Sequence, residues 1–207
     1  MSAHNLIKSY LRRATHDSLL GVGCYSAVIL ANNSRDQVVK IGSKVDDPWL
    51  DYYYEVVKGM QSPHTPNVSR LYVDKQSGYY IAMMEQLHIL DDKNSNFVQL
   101  VRRYTVEEVS YDEVAAAADA LDSIPSAEHF MSFLDYVLAR TDVVKKSWDC
   151  HENCNDNDRT LDIHQGNWML RRDGTLILID PWADFEIEAD LERWAEDNLY
   201  NKYGFAL

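Results

Sequence analysis

In the stretch TLDIHQGNWMLRRDGTLILID, residues 160–180, the polar side chains of Asp162, His164 and Asn167 stand at the mouth of an apolar strand that ends in a second acid, Asp180. A loop that needs only solubility has no use for Asp and Asn at Asp-x4-Asn spacing, and a strand that needs only burial does not end Ile-Leu-Ile-Asp-Pro. Asp162 is suited to accept the proton of an attacking hydroxyl, or to orient that hydroxyl. Asn167 offers a hard cation a neutral oxygen and Asp180 an anionic one. Mg²⁺ is held by a few such oxygens, with phosphates and water completing its shell. Singly, the residues have plainer readings: Asp162 as a loop cap and Asp180 as a strand-end cap.

The front half of the chain contains groups that complement such a site. Gly21, Gly23 and Ser26 lie in GVGCYSAV, a glycine-rich turn between strands. Glycines allow the backbone to approach a phosphate and aim N–H groups at it. The turn is not a Walker loop, because it lacks the Gly-Lys-Ser/Thr ending and does not open a helix. Lys40 sits in the strand QVVKIG between Val39 and Ile41. A strand lysine ordinarily points to solvent; the functional alternative places it under the glycine turn, bonded to the α and β phosphates of a nucleotide. Such a lysine needs an acid to hold it, and Glu55 on the following helix is the candidate. Glu55 adjoins Tyr52 and Val56 near the apolar face, where an unpaired acid is expensive; its plainer reading is an exposed helical glutamate.

These residues need elements to carry them. Residues 1–16 have helical spacing at Leu6, Ile7, Tyr10 and Leu11. Two β-rich runs flank the turn residues 32–36, and RLYVD and GYYIAMMEQL read as two more strands joined at 75–78. Asp47-Pro48 signals a helix start, and Trp49, Tyr52, Tyr53, Val56 and Met60 give that helix an apolar face. After Leu87, DDKNSN reads as a polar turn, followed by helices near 97–104, 107–122 and 126–140, the last capped by Ser126. NWMLRR and TLILID flank Asp173-Gly174 as a hairpin, and a final amphipathic helix covers 187–202. The expected boundary, near 86–91, separates a strand-rich first lobe from a helix-rich second.

With 207 residues, 46% of them hydrophobic, the chain makes one domain or two small lobes. No apolar run reaches the ~20 residues that cross a bilayer, and the N-terminal residues show no apolar signal-peptide core. The expectation is a cytoplasmic protein with no membrane partner. A net charge of −13 repels a phosphate backbone and disfavours direct nucleic-acid binding. Three cysteines cannot all pair within the chain and suit a reducing compartment. Cys150, His151 and Cys154 resemble half a zinc site, but the second pair of ligands is missing, so the segment reads as a polar loop.

Glycine turn, strand lysine, helix glutamate, polar break, Asp-x4-Asn and strand-end Asp occur in the order that phosphoryl transfer uses in kinases. GVGCYSAV resembles the Gly-x-Gly-x-x-Gly-x-Val loop of the protein-kinase-like superfamily, with Ser26 for the third glycine. VVKIG resembles its lysine strand, MMEQL its gatekeeper and hinge, LDIHQGNWML its catalytic loop and LILIDP its metal-binding segment. Within the superfamily the chain is similar to the early serine/threonine protein kinases of Teseptimavirus-type bacteriophages, over most of residues 19–185.

The resemblance implies an α+β, bilobal protein-kinase-like fold. A small antiparallel β-sheet N-lobe spans 1–87, including the αC-like helix and the hinge, and a mostly helical C-lobe spans 88–207; together they form one kinase domain. It implies ATP held by Gly21, Val22, Gly23, Ser26, Val28 and Lys40, with adenine against Glu85 to Leu87. It also implies Mg²⁺ on Asn167 and Asp180, Asp162 as the group that orients the hydroxyl, and Glu55 positioning Lys40. The implied substrates are host bacterial proteins, including transcription and RNA-processing machinery, phosphorylated in the host cytoplasm during takeover. Thr160-Leu161 replace the usual His-Arg, Asp-Pro-Trp replaces Asp-Phe-Gly, and no Ala-Pro-Glu follows. Constitutive activity is therefore expected. His164 stands where such kinases carry lysine, and histidine there also occurs in antibiotic phosphotransferases. A small-molecule, aminoglycoside-type phosphotransferase is thus the alternative, and a kinase-fold binder that inhibits a host factor is a third.

Overall fold

The computed structural model describes residues 19–22, 26–31, 36–42, 47–74, 79–148 and 159–184. The expected helices at 1–16 and 187–202, Gly23, and the Cys150/His151/Cys154 segment lie outside these residues. The chain is a mixed α+β structure that divides into two units, the first from 1–47, 67–86 and 184–207, the second from 48–66 and 87–183.

The first unit contains one antiparallel sheet: β1 (Leu19–Val22), β2 (Ser26–Leu30), β3 (Gln37–Gly42), β4 (Val68–Asp74) and β5 (Tyr79–Glu85), in spatial order β1-β2-β3-β5-β4. Alternation dictates the register. Ala27 and Ile29 of β2 stand across from Ile41 and Val39 of β3, which stand across from Ile81 and Met83 of β5. These apolar residues share one face. Val28, Lys40 and Ala82 share the other, because directly paired residues point the same way. Gly42 closes β3 for a steric reason. A Cβ there would overlap the ring of Tyr80, and Tyr80 is fully buried with its hydroxyl donating to Asp47.

The second unit opens with α1, a continuous run of an α-turn (Pro48–Tyr52), a π-turn (Tyr53–Val57) and an α-turn (Lys58–Met60). The sequence reading places this helix in the first lobe, whereas its contacts group it with the second unit. The reason is the apolar face: Trp49, Tyr52 and Val56 are fully buried. The Tyr52 hydroxyl donates to the Leu178 carbonyl at 2.7 Å, and the Tyr136 hydroxyl donates to the Glu55 carbonyl at 3.2 Å.

Next come α2 (Asp92–Thr105), α3 (Tyr111–Asp119) and α4 (Ala127–Trp148). The DDKNSN segment, read from sequence as a turn, is instead the cap and first turns of α2. The Asp91 carboxylate accepts the Asn94 backbone N–H at 2.8 Å, and an exposed first turn tolerates polar residues. α3 begins later than expected, at a Ser110–Glu113 capping box. Ser126 does cap α4, accepting the His129 N–H at 3.3 Å. The expected hairpin is β7 (Trp168–Leu170) against β8 (Leu176–Leu178), with Gly174 at φ 89° in its turn. β6 (Arg159–Leu161) pairs with β9 (Trp182–Asp184). Phe97, Phe130, Phe133, Leu134, Trp168 and Leu176–Leu178 form the buried centre of this unit. No helix among the described residues is long and apolar enough to cross a membrane.

Candidate functional site

Lys40 is only 7% exposed, so the solvent-facing alternative for this strand lysine does not hold. A buried ammonium must be partnered, and Lys40 does have an interaction of its own. It lies in the central strand, flanked by Val28 on one side and Ala82 on the other. Ser26, two residues before Val28, starts β2 opposite Gly42. Gly21 sits at an irregularity of β1, exposed, with open space around its α-carbon. Val22 ends β1.

At the far end of β5 the Glu85 carboxylate accepts the Asn67 backbone N–H at 2.8 Å and the Asn67 side-chain amide at 3.1 Å. The Glu85 N–H donates to Asn67 and the Gln86 N–H to Asp36, each at 3.0 Å. Two of the donors that a nucleotide base could use at 85–87 are therefore already committed to the sheet, and Leu87 begins the second unit. Glu55 belongs to the second unit, where its carboxylate is 3.8 Å from Arg140 Nε with both side chains partly exposed.

In the second unit, tertiary structure draws Asp162, Asn167 and Asp180 together. Two backbone bonds clip the 162–167 loop onto the strand exit. Asp162 N–H donates to Pro181 at 2.7 Å, and Ile179 N–H donates to Asn167 at 2.8 Å. Asp180 lies between the two clipped residues. The Asn167 amide nitrogen donates to the Asp162 carbonyl at 2.7 Å and to its Oδ2 at 3.0 Å. Both bonds use the NH₂ group, so neither occupies the amide oxygen.

His164 supports the same carboxylate. The Gly166 N–H donates to His164 Nδ1 at 2.9 Å, which fixes the ring proton on Nε2. Nε2 lies 3.4 Å from Asp162 Oδ2. A Cβ at position 166 would lie 2.6 Å from the ring, so glycine leaves the ring room to sit beside Asp162.

Sequence reasoning missed Tyr52. Its phenol is buried and bonded to Leu178, two residues before Asp180. Burial chiefly, with a contribution from the Asp180 carboxylate, holds the phenol well above the ordinary tyrosine range. The sequence marks Tyr52 only as one apolar-face residue of a helix. Trp182 anchors the other side of Asp180, donating from Nε1 to Thr141 at 2.8 Å. Also missed was an open groove of about 610 Å³ lined by Val98, Gln99, Arg102, Arg103, Val106, Glu108 and residues 163–165.

No cluster of three or more His, Cys, Asp or Glu side chains that could hold a metal occurs among the described residues. The hard-oxygen set of Asp162, Asn167 and Asp180, one of whose members is an amide, nonetheless suits Mg²⁺, which uses few protein ligands. Compared with family models and with curated proteins, the chain matches none.

Proposed function

We propose that the chain is an ATP-dependent, Mg²⁺-using serine/threonine protein kinase of the phage early type, with a protein-kinase-like fold, phosphorylating host bacterial proteins. The observation that carries this reading is the pair of backbone bonds that clip the Asp162–Asn167 loop to the residues on either side of Asp180, with Asn167 bonded to the Asp162 carboxylate. A sheet of order β1-β2-β3-β5-β4 with a buried lysine in its central strand supports it from the first unit.

In this reading Gly21, Val22, Gly23, Ser26, Val28 and Lys40 bind ATP, and residues 85–87 take the adenine. Asn167 and Asp180 hold Mg²⁺, which when bound neutralises charge on the phosphates. Asp162, aimed by Asn167 and His164, orients the acceptor hydroxyl and takes its proton. The new bond joins the hydroxyl oxygen to the γ-phosphorus, the bond to ADP breaks, and ADP leaves. Placement and charge complementarity carry most of such catalysis. Glu55 positioning Lys40 belongs to the same proposal, with Arg140 as a competing partner of the glutamate.

One observation favours the small-molecule alternative: His164 beside Asp162, in the residue order DIHQGN. The arginines of the adjoining groove oppose it for a polycationic aminoglycoside. The test is transfer of label from γ-labelled ATP with Mg²⁺ to bacterial lysate proteins and to a panel of small alcohols and aminoglycosides. Label entering protein, and lost in Asp180→Asn, is the expected result. Equal transfer by the variant, or transfer only to small molecules, overturns it.

A further inference from the structure

The chain carries a net charge of −13, yet the groove of the second unit sets Arg102 and Arg103 against one acid, Glu108. Arg103 is already engaged, its Nε 3.2 Å from Glu108 Oε2. Among the described residues none pairs with the guanidinium of Arg102, which is exposed on the last turn of α2. The groove floor is apolar, with Val98 and Ile163 buried, and Val106 stands 61% exposed at its flank. Gln165 Nε2 donates to the Ser95 carbonyl at 3.3 Å, tying the loop to α2, so the two walls are held together. At the loop wall of the groove His164 reaches Asp162.

A polypeptide that presents a hydroxyl to Asp162 and continues along this groove meets Arg102. The planar guanidinium fork matches a carboxylate with two parallel hydrogen bonds. Elsewhere the surface is, on balance, repulsive to acids, so a local cation beside the acceptor position discriminates rather than merely attracts.

We infer that this groove binds the protein substrate through an acidic side chain flanking the phosphorylated hydroxyl, with Arg102 as the group that reads it. The inference rests on the phosphotransferase reading and names the substrate class of that site.

Fluorescein-labelled serine peptides, identical except for Glu, Gln or Lys placed at each flanking position in turn, are titrated with the full chain and followed by anisotropy without ATP. The Glu peptide is expected to bind about two- to fivefold tighter than the Gln peptide at one position, the range of an exposed charge-assisted pair. The preference should weaken with added salt. Arg102→Glu should reverse it in favour of Lys. Because Arg102 is exposed, this variant should keep the wild-type melting curve. Equal binding of Glu and Gln peptides, or a preference unchanged in a folded Arg102→Glu, overturns the assignment. The same peptides are then assayed for phosphate transfer, where Arg102→Glu should raise KM for the acidic peptide and leave kcat unchanged. Transfer without an acidic preference overturns the groove assignment alone. An Arg102-dependent preference without any transfer supports the groove and overturns the kinase reading.

Discussion

Replacing Tyr52 by Phe isolates one hydroxyl. The ring of Tyr52 is fully buried and packs edge-on against Trp182 with centroids 5.9 Å apart, a contact that Phe preserves. What disappears is the donor to the Leu178 carbonyl at 2.7 Å. A buried hydrogen bond contributes ~0.5–1.5 kcal/mol net, and an acceptor deprived of its donor in a dry interior adds desolvation, so the loss should be about 1–3 kcal/mol. For a chain of this size each kcal/mol moves the melting temperature by roughly 2–4 °C, which predicts a fall of about 2–12 °C. Tyr54→Phe, at a residue 49% exposed, is the control and should stay within about 0.5 kcal/mol of wild type. The effect should also reach the chemistry, because Leu178 lies just before Asp180 and the Asp180 carboxylate acts on the phenol. A lowered kcat with an unchanged KM for peptide is expected. Thermal melts followed by circular dichroism and steady-state transfer assays measure the two effects. If the Tyr52→Phe melt superimposes on wild type, the hydrogen bond does not anchor β8 and the reasoning fails.

Gly166→Ala should lower phosphate transfer about 10–100-fold by pushing the His164 ring off Asp162. Its melting curve should hardly change, since both residues are exposed; wild-type rates in this variant would show that the ring does not aim Asp162. His64 offers a pH test. Its Nδ1 donates to the Leu176 carbonyl at 2.8 Å, its buried Nε2 has no hydrogen-bond partner among the described residues, and burial above all lowers its pKa, aided by Arg171 and His129 and opposed by the Leu176 bond. The unfolded chain therefore binds a proton here first. The neutral ring's contribution is fully present above the unfolded value of about 6.5 and is lost as pH falls from there through the lowered folded value. Urea melts should show this loss in wild type and not in His64→Gln. Three carboxylates give a second, more acidic window. Backbone and side-chain hydrogen bonds lower the pKa of Asp91 through Asn94, of Glu113 through Ser110 and of Asp173 through Thr175. Their contributions are present above the unfolded carboxylate values and are lost only from about pH 4 downward, which the same melts at acidic pH should separate from the His64 loss.

Much of the first unit is readable from residue order. The β-branched and apolar residues of SAVIL, QVVKIG and YYIAMME mark them as strands, and the antiparallel pairing of β2 with β3 and of β4 with β5 agrees with that reading. The DIHQGN and LILIDP segments are likewise marked as chemical by their residue types alone. Helix starts are harder to read. The polar run before Phe97 has the composition of a loop and becomes helix because Asp91 caps it and Asn94 turns inward to accept from Ser123. The affiliation of α1 is not readable either, since an apolar stripe states that a helix buries a face but not against which neighbour.

Residue order alone was enough for the strands, the hairpin around Gly174 and the identities of the oxygen donors, because these depend on local periodicity, turn chemistry and side-chain type. It took the folded chain to put Asp162 and Asn167 beside Asp180, to brace that acid with Tyr52 and Trp182, to turn Glu55 toward Arg140, and to border the groove with Arg102. Each of these rests on a contact between residues far apart in the chain, where hydrogen-bond geometry and packing select one partner among several of equal chemical merit.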